Sequence, residues 1–243
     1  MLGLVALFVH VGLLPPAPTP PSLSPAPAHQ PAPYPFKVGE TLRYTATLGY
    51  FPVGSASLSV ARLDTQRGAE TFVLTMNGQG GPPGLGLTYE ATSWVGTQDF
   101  TSRRFHRRVT QSGQVTDDRY IILPDSARYR EEGKPQAWAT PRDALDEVAF
   151  IYFLRTTPLA VGKNYVWARY FRTGFNPVQV RVTGRETVQL PTGESRPCLV
   201  LHVITRGGES DLWLTDDARR IPVRAQVPLS FGTVTLQLSG MGA

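Results

Sequence analysis

From Thr41 onward apolar and polar residues alternate one by one: Leu42, Tyr44, Ala46 and Leu48 against Thr41, Arg43, Thr45 and Thr47. A helix would scatter such a period of two around its circumference, so the pattern predicts a half-buried strand. After the turn-like run Tyr50 to Gly54, Ala56, Leu58 and Val60 alternate with Ser55, Ser57 and Ser59, which predicts an opening hairpin with one wet face. The alternation returns late in the chain. Val178, Val180 and Val182 oppose Gln179, Arg181 and Thr183, and Val234, Leu236 and Leu238 oppose Thr233, Thr235 and Gln237. Further strands are expected at 70–77, 86–95, 102–110, 115–122, 164–172, 197–205, 209–214 and 221–229. Turn chemistry such as Arg67-Gly68, Ser112-Gly113 and Gly207-Gly208 separates most of them.

One segment has a different period. Thr140-Pro141-Arg142-Asp143 offers a capping residue, proline at the first helical position and an early acid. Leu145, Val148, Ala149 and Tyr152 follow at helical spacing, which predicts one helix over 141–155. Its other flank holds Phe150, Ile151, Phe153 and Leu154, so it is apolar nearly all round and is expected to be covered on more than one side.

About a dozen strands and one buried helix must deal with exposed sheet edges, and curling the sheet is the usual solution at this size. The expected fold is therefore mainly β: a curved antiparallel sheet forming an open or half barrel, in a single β-domain over 36–243. An outer-membrane barrel would need a lipid-facing stripe on every strand, and serine, threonine and arginine hold too many outer positions for that.

The front of the chain differs. Leu2 to Leu14 is an apolar run interrupted by His10 and glycines, and it would span roughly 20 Å as a helix, short of the ~30 Å hydrocarbon core. It reads as a signal-peptide-like segment (1–14) although no positive charge precedes Lys37. Residues 15–35 form a spacer rich in proline and alanine that cannot build a core. Ala17 and Ala26-Pro27-Ala28 are possible cleavage points, and no cysteine follows the apolar run, so lipoprotein-type acylation is not expected. The expected location is the periplasm or cell envelope, with no stable membrane span after cleavage.

Composition narrows the chemistry. The net charge of +5 comes from 24 basic against 19 acidic residues, with lysine only at 37, 134 and 163. A mild, dispersed excess of this kind does not point to nucleic acid, whose binders concentrate charge on one face. Cys198 is the only cysteine and there are four histidines, two of them (His10 and His29) in the leader, so neither a disulfide nor a metal site is expected, and no cofactor is implied.

No nucleophile elbow and no phosphate loop is present. His106 and His202 have no recognisable catalytic partner in sequence. The acid pairs Asp117-Asp118, Glu131-Glu132, Asp146-Glu147 and Asp216-Asp217 could serve glycoside hydrolysis, but neighbours on a strand or helix point apart and the ordinary reading is structural. Arg104, His106 and Arg108 share one strand face and form a candidate anion site; a solvated edge strand guarded by arginine is the ordinary reading. Gly80 to Leu87 is a flexible loop with apolar tips at Leu85 and Leu87. Beneath it Trp94, Trp138, Trp167 and Trp213 are candidates to line an apolar interior, or else simply to fill the core.

Several stretches, in order, resemble an uncharacterised bacterial family, the domain of unknown function 3108, whose members are mostly exported. They are Phe36-Lys37-Val38-Gly39-Glu40 with Leu42 and Tyr44, Val53-Gly54, Tyr152-Phe153-Leu154-Arg155, Pro158-Leu159 with Gly162, Gly184-Arg185-Glu186 with Pro191-Thr192-Gly193, and Leu212 to Asp217 with Arg220-Ile221-Pro222-Val223. The resemblance implies one curved β-domain similar to the open barrels of periplasmic lipid and lipoprotein carriers, and it brings no established reaction. The chain departs from the family at Ala144-Leu145-Asp146, where an Asp-x-x-Ser-like entry to the helix is expected. With no catalytic constellation in view, the leading expectation is a non-enzymatic envelope protein that binds a lipid, another amphiphile or a partner chain in its concave sheet. An enzyme or binding protein acting on an envelope glycan polymer is the alternative.

Overall fold

The computed structural model describes residues 34–81, 86–229 and 232–242. The signal-like segment, most of the spacer and Leu85 lie outside them. Among the described residues there are fourteen strands and one α-helix. In chain order the strands are β1 (Thr41–Leu48), β2 (Phe51–Gln66), β3 (Ala69–Gly80), β4 (Leu87–Gly96), β5 (Ser102–Gln111), β6 (Gln114–Leu123) and β7 (Arg128–Glu131). Then come β8 (Ala137–Ala139), α1 (Glu147–Thr156), β9 (Asn164–Trp167), β10 (Val178–Gln189), β11 (Ser195–Thr205), β12 (Gly208–Thr215), β13 (Pro222–Leu229) and β14 (Gly232–Gly242).

All fourteen strands form one sheet in the order β8-β7-β6-β5-β4-β3-β2-β1-β14-β13-β12-β11-β10-β9. The first and last strands are partners at its centre, and each arm of the sheet is an antiparallel meander running outward. The two ends, β8 and β9, do not pair with each other, so the barrel is open, in line with the open or half barrel expected of a sheet that curls to manage its edges. Tight turns set the register: Arg67-Gly68 and Ser112-Gly113 both have positive φ, the mirror-image geometry that suits the twist of two-residue hairpins. Register shifts interrupt six of the strand pairings, including Val60/Arg62, Trp94/Val95 and Val182/Gly184. Each extra residue bends its strand and sharpens the local twist, which is how a flat ladder becomes a curved one.

The helix begins six residues after the start the sequence predicts. Its N-cap is Asp146, not Thr140: the Asp146 carboxylate accepts from the Val148 and Ala149 amides at 3.0 Å each. Thr140 instead donates its hydroxyl to the Phe171 carbonyl at 2.8 Å, and Leu145 bridges in parallel to Tyr170. These stretches fill the gap between β8 and β9. They also shorten β9, expected over 164–172, because Arg169 and Phe171 give their backbone bonds to Leu145 instead of to β10. As predicted, α1 is buried nearly all round; only Ile151 and Thr156 are partly exposed.

The barrel has one sealed end and one open end. At the sealed end the chain enters through Tyr34 and Phe36, which stack on each other at 5.2 Å and meet Phe72 at 5.1 and 5.6 Å; Phe36 also meets Tyr152 of the helix at 5.0 Å. At the other end lies the β1–β2 turn, Gly49-Tyr50. There the inner row of the sheet runs Ala46, Gly54 and Gly80, followed by Tyr44, Ala56 and Gly78. Gly54, Ala56, Gly78 and Gly80 are half-buried there, while Ala46 beside them is fully buried.

Candidate functional site

Inside the curve, α1 and the sheet do not close completely. Tyr44, Leu58, Met76, Phe150, Leu154 and Leu236 border an apolar cleft with a cavity volume of about 50 Å³, or about 740 Å³ of empty space when its open mouth is counted. A water needs only some 10–15 Å³ by the first measure, so the enclosed part holds a few waters or a short apolar segment. Part of this space traces to sequence: on β2 Ala56 stands in the inward series that continues with Leu58 and Val60.

Two buried polar clusters hold the helix over this cleft. At its N-terminal end Asp146, fully buried, accepts from Ser93 Oγ at 2.5 Å and Ser102 Oγ at 2.8 Å as well as from its two cap amides. Burial pushes its carboxyl up to about 7, against the four donated hydrogen bonds that pull it down. Next to it Glu147, which borders the cleft, accepts from Arg107 Nη1 (3.3 Å), Tyr89 Oη (3.3 Å) and Tyr170 Oη (2.9 Å). Arg107 also donates to Asp118. Burial alone would lower the Arg107 guanidinium, but Glu147 and Asp118 hold it above its ordinary value. Burial first, and Glu147 second, raise the Tyr89 and Tyr170 phenols well above theirs.

At the C-terminal end Arg155, with no side-chain exposure, makes a two-pronged contact to Glu40 at 2.5 and 3.2 Å. It also donates to the Pro35 and Arg219 carbonyls, and its guanidinium lies 5.3 Å from the Phe36 ring centre. Two of the stretches that carry the family resemblance, Phe36 to Glu40 and Tyr152 to Arg155, therefore meet here as one structural unit.

The structure disperses the four tryptophans. Trp94 lies on the outer face of β4, between inward Ser93 and Val95, donating to Asp64 at 2.9 Å under the Arg104 guanidinium. Trp213 also faces outward, where it donates to Glu186 and packs beneath Arg224. It is buried, as are Val188 and Cys198, and nearby the β10–β11 hairpin meets β14, where Gln237 donates to the Gln189 carbonyl. Trp138 is on edge strand β8, 37% exposed and stacked on Tyr129 at 5.4 Å. Trp167 alone reaches the helix, at 5.9 Å from Phe150 and 5.3 Å from Phe153. Leu87 is buried at the start of β4.

The basic strand is not an edge: β5 is paired on both sides. Arg104 contacts Glu132 at 3.2 Å and His106 contacts Asp117 at 2.8 Å, so two of the three candidate anion ligands already have acidic partners; Arg108 is exposed. His202 likewise has Asp211 at 2.8 Å and Glu209 at 3.4 Å, which corrects the reading that neither histidine has a partner. These are cross-strand surface pairs. Both ring nitrogens of His202 face carboxylates and neither histidine is aligned with a hydroxyl or thiol. The four acid pairs are engaged as well: Asp117 with Arg119 outside and Asp118 with Arg107 inside, Glu131 with Lys134 and Glu132 with Arg104, Asp146 and Glu147 in the buried cluster at the helix N-terminus, and Asp216 with Arg185 and Arg220. Among the described residues no His, Cys, Asp and Glu cluster could hold a metal, and no helix is long and apolar enough to cross a membrane.

One solved structure shares the architecture. A crystal structure titled as a beta-barrel-like protein of domain of unknown function DUF1849 from Brucella abortus matches with a TM-score of 0.55 at 10% identity, covering 84% of this chain and 97% of that one. A putative lipoprotein from Parabacteroides distasonis ATCC 8503 aligns over 86% of this chain and 97% of that one, at 10% identity and a TM-score of 0.32. No curated protein matches the chain significantly. The family model described as a protein of unknown function, DUF3108, matches residues 43–239, and the chain belongs to that family.

Proposed function

We propose that this is an exported cell-envelope protein that binds an apolar or amphiphilic ligand, or an apolar segment of a partner chain, between α1 and the concave sheet, without catalysing a reaction on it. The observation that carries the reading is the apolar cleft between α1 and the concave sheet, bordered by Tyr44, Leu58, Phe150 and Leu154. Clefts of this kind, mostly apolar with a few polar groups at the border, here Glu147, Asp211 and Arg224, are the usual form of small-ligand sites. Export rests on the apolar run at 2–14 and the Pro/Ala spacer. Native mass spectrometry of detergent-free protein from its own host tests the reading. A copurifying lipid, amphiphile or peptide is expected; a bare chain that also fails to bind an apolar dye contradicts it.

The glycan-binding alternative keeps one observation of its own, the half-exposed Trp138 stacked on Tyr129 at the open edge, a flat surface of the kind sugar rings lie against. Retention on immobilised envelope polysaccharide, lost in Trp138→Ala with the fold intact, would favour it.

A further inference from the structure

At the open rim the β1–β2 hairpin ends in two aromatic residues that touch almost nothing: Tyr50 is 100% exposed and Phe51 is 77% exposed. Single exposed apolar residues are common, but two adjacent aromatics projecting from a tight turn are a costly thing to leave in water. The hairpin that presents them is the same one that supplies Tyr44, Ala56 and Leu58 to the cleft. Between the cleft and the tip the inner face carries the small row Ala46, Gly54 and Gly80 and then half-buried Leu48, which pairs with Phe51 on one side and buried Val234 on the other.

The surroundings are short of charge. In the sheet β1 and β2 are flanked by β14 and β3, and the sequence from Gly49 to Val53, Gly80 to Leu87 and Pro228 to Gly232 contains no charged residue. The nearest charged turn on the same rim is β11–β12, with Arg206 and Glu209. The opposite rim is different: Arg67, Asp99, Asp216, Asp217, Arg219 and Arg220 occupy its turns. An uncharged aromatic tip can enter the headgroup region of a bilayer without desolvating an ion, and tyrosine and phenylalanine suit that boundary. A specific protein partner would need about 800 Å² on each side, far more than one two-residue tip offers.

We propose that Tyr50 and Phe51 dock the open rim onto a lipid bilayer surface, so that an apolar ligand passes between membrane and cleft without crossing water. The mechanism rests on the binding function proposed above, but the docking itself is tested separately. Full-length protein and the double variant Tyr50→Ser, Phe51→Ser are floated with phosphatidylcholine vesicles, with and without phosphatidylglycerol. Both proteins carry the same N-terminal segment, so its contribution to binding cancels in the comparison. Each side chain is exposed, so the variant is expected to keep the wild-type melting temperature. Its vesicle affinity is expected to fall about tenfold or more, each tenfold being worth about 1.4 kcal/mol, less than burial of one such aromatic side chain provides. Equal flotation of the two proteins, whether both bind or neither does, overturns the proposal. Loading of a fluorescent fatty acid from buffer is then compared: if wild type fails to load, the cleft function is wrong while the flotation difference still decides the docking. If both load equally from buffer and only the variant is slow from vesicles, both stand.

Discussion

Breaking the ion pair at the C-terminal end of the helix is expected to destabilise the fold more than almost any other single polar change. Arg155 has no exposed side-chain surface and Glu40 is 4% exposed on its side chain, so replacing Glu40 leaves Arg155 buried without a counter-charge and replacing Arg155 removes the buried partner of Glu40. Loss of one partner of a buried pair costs about 3–5 kcal/mol. Glu40→Gln keeps the shape but strands the guanidinium, whose remaining neutral acceptors are the Pro35 and Arg219 carbonyls. For a chain of this size each kcal/mol moves the melting temperature by about 2–4 °C, so a fall of about 6–20 °C is expected from Glu40→Gln. Arg155→Met should do the same, because it leaves the carboxylate with only the partly exposed Arg219 at 3.2 Å. The double variant Glu40→Gln, Arg155→Met restores neutrality and should lose less than the sum of the two single changes. Thermal and urea unfolding of the four proteins close the cycle. Strictly additive losses, or single-variant losses below about 1 kcal/mol, would show that the pair behaves as an ordinary surface contact and refute the reasoning.

A second expectation concerns pH. The Asp146 carboxyl is raised from its ordinary 3.8 to about 7 by burial, so the folded chain holds this proton more tightly than the unfolded one. Its contribution is therefore present below pH 3.8 and lost as pH rises through 7. Asp146→Asn mimics the protonated form and removes the titration, so its melting temperature should gain on wild type between those limits, by an amount of order a few kcal/mol in stability. A difference that stays flat with pH would mean the four donated hydrogen bonds keep the carboxylate ionised. On the outer face, Arg104→Ala and His106→Ala should change stability by under about 1 kcal/mol and leave ligand loading intact, since their acidic partners are surface groups. Loss of loading in either would return the basic strand to consideration as a binding site.

The sheet was legible because its signal is local. Alternation within eight or ten residues places β1, β5, β6 and β14 to within a residue or two at the start, and the positive-φ turns at Arg67-Gly68 and Ser112-Gly113 carry their own chemistry. The short strands Arg128–Glu131 and Ala137–Ala139 were not, because four and three residues are too few to show a period. The helix start was misplaced for an instructive reason: Thr140-Pro141 has good capping vocabulary, but Thr140 is used to seal the gap between β8 and β9. Asp146 wins the cap because Ser93 and Ser102, distant in sequence, meet its second oxygen.

The candidate site was less readable. Tryptophan looks like lining material, yet strand parity decides which way it points, and Trp94 alternates with Ser93 and Val95 on a strand whose two faces both mix polar and apolar residues. The decisive charged residues inside the barrel pair across 40 residues for Arg107 and Glu147 and across 115 for Glu40 and Arg155. Nothing in a window of sequence reports such a pairing. The nearest available signal was that Glu40 and Arg155 both sit within stretches shared with the family. The cleft itself depends on small Ala56 among larger inward neighbours, and on Tyr44, Leu58 and Leu236 being brought beside it by a register that no window of sequence shows.

The most direct test of the central claim is a titration of a fluorescent fatty acid into the wild-type chain and into Ala56→Phe. Phenylalanine at this half-buried inner position grows into the cleft beside Tyr44 and Leu58 while the rest of the barrel is left alone. Saturable binding to wild type, weakened about tenfold or more in Ala56→Phe with the fold retained, is the expected result. Equal binding by both folded proteins, or none by either, would contradict the claim that the space between helix and sheet is a ligand site.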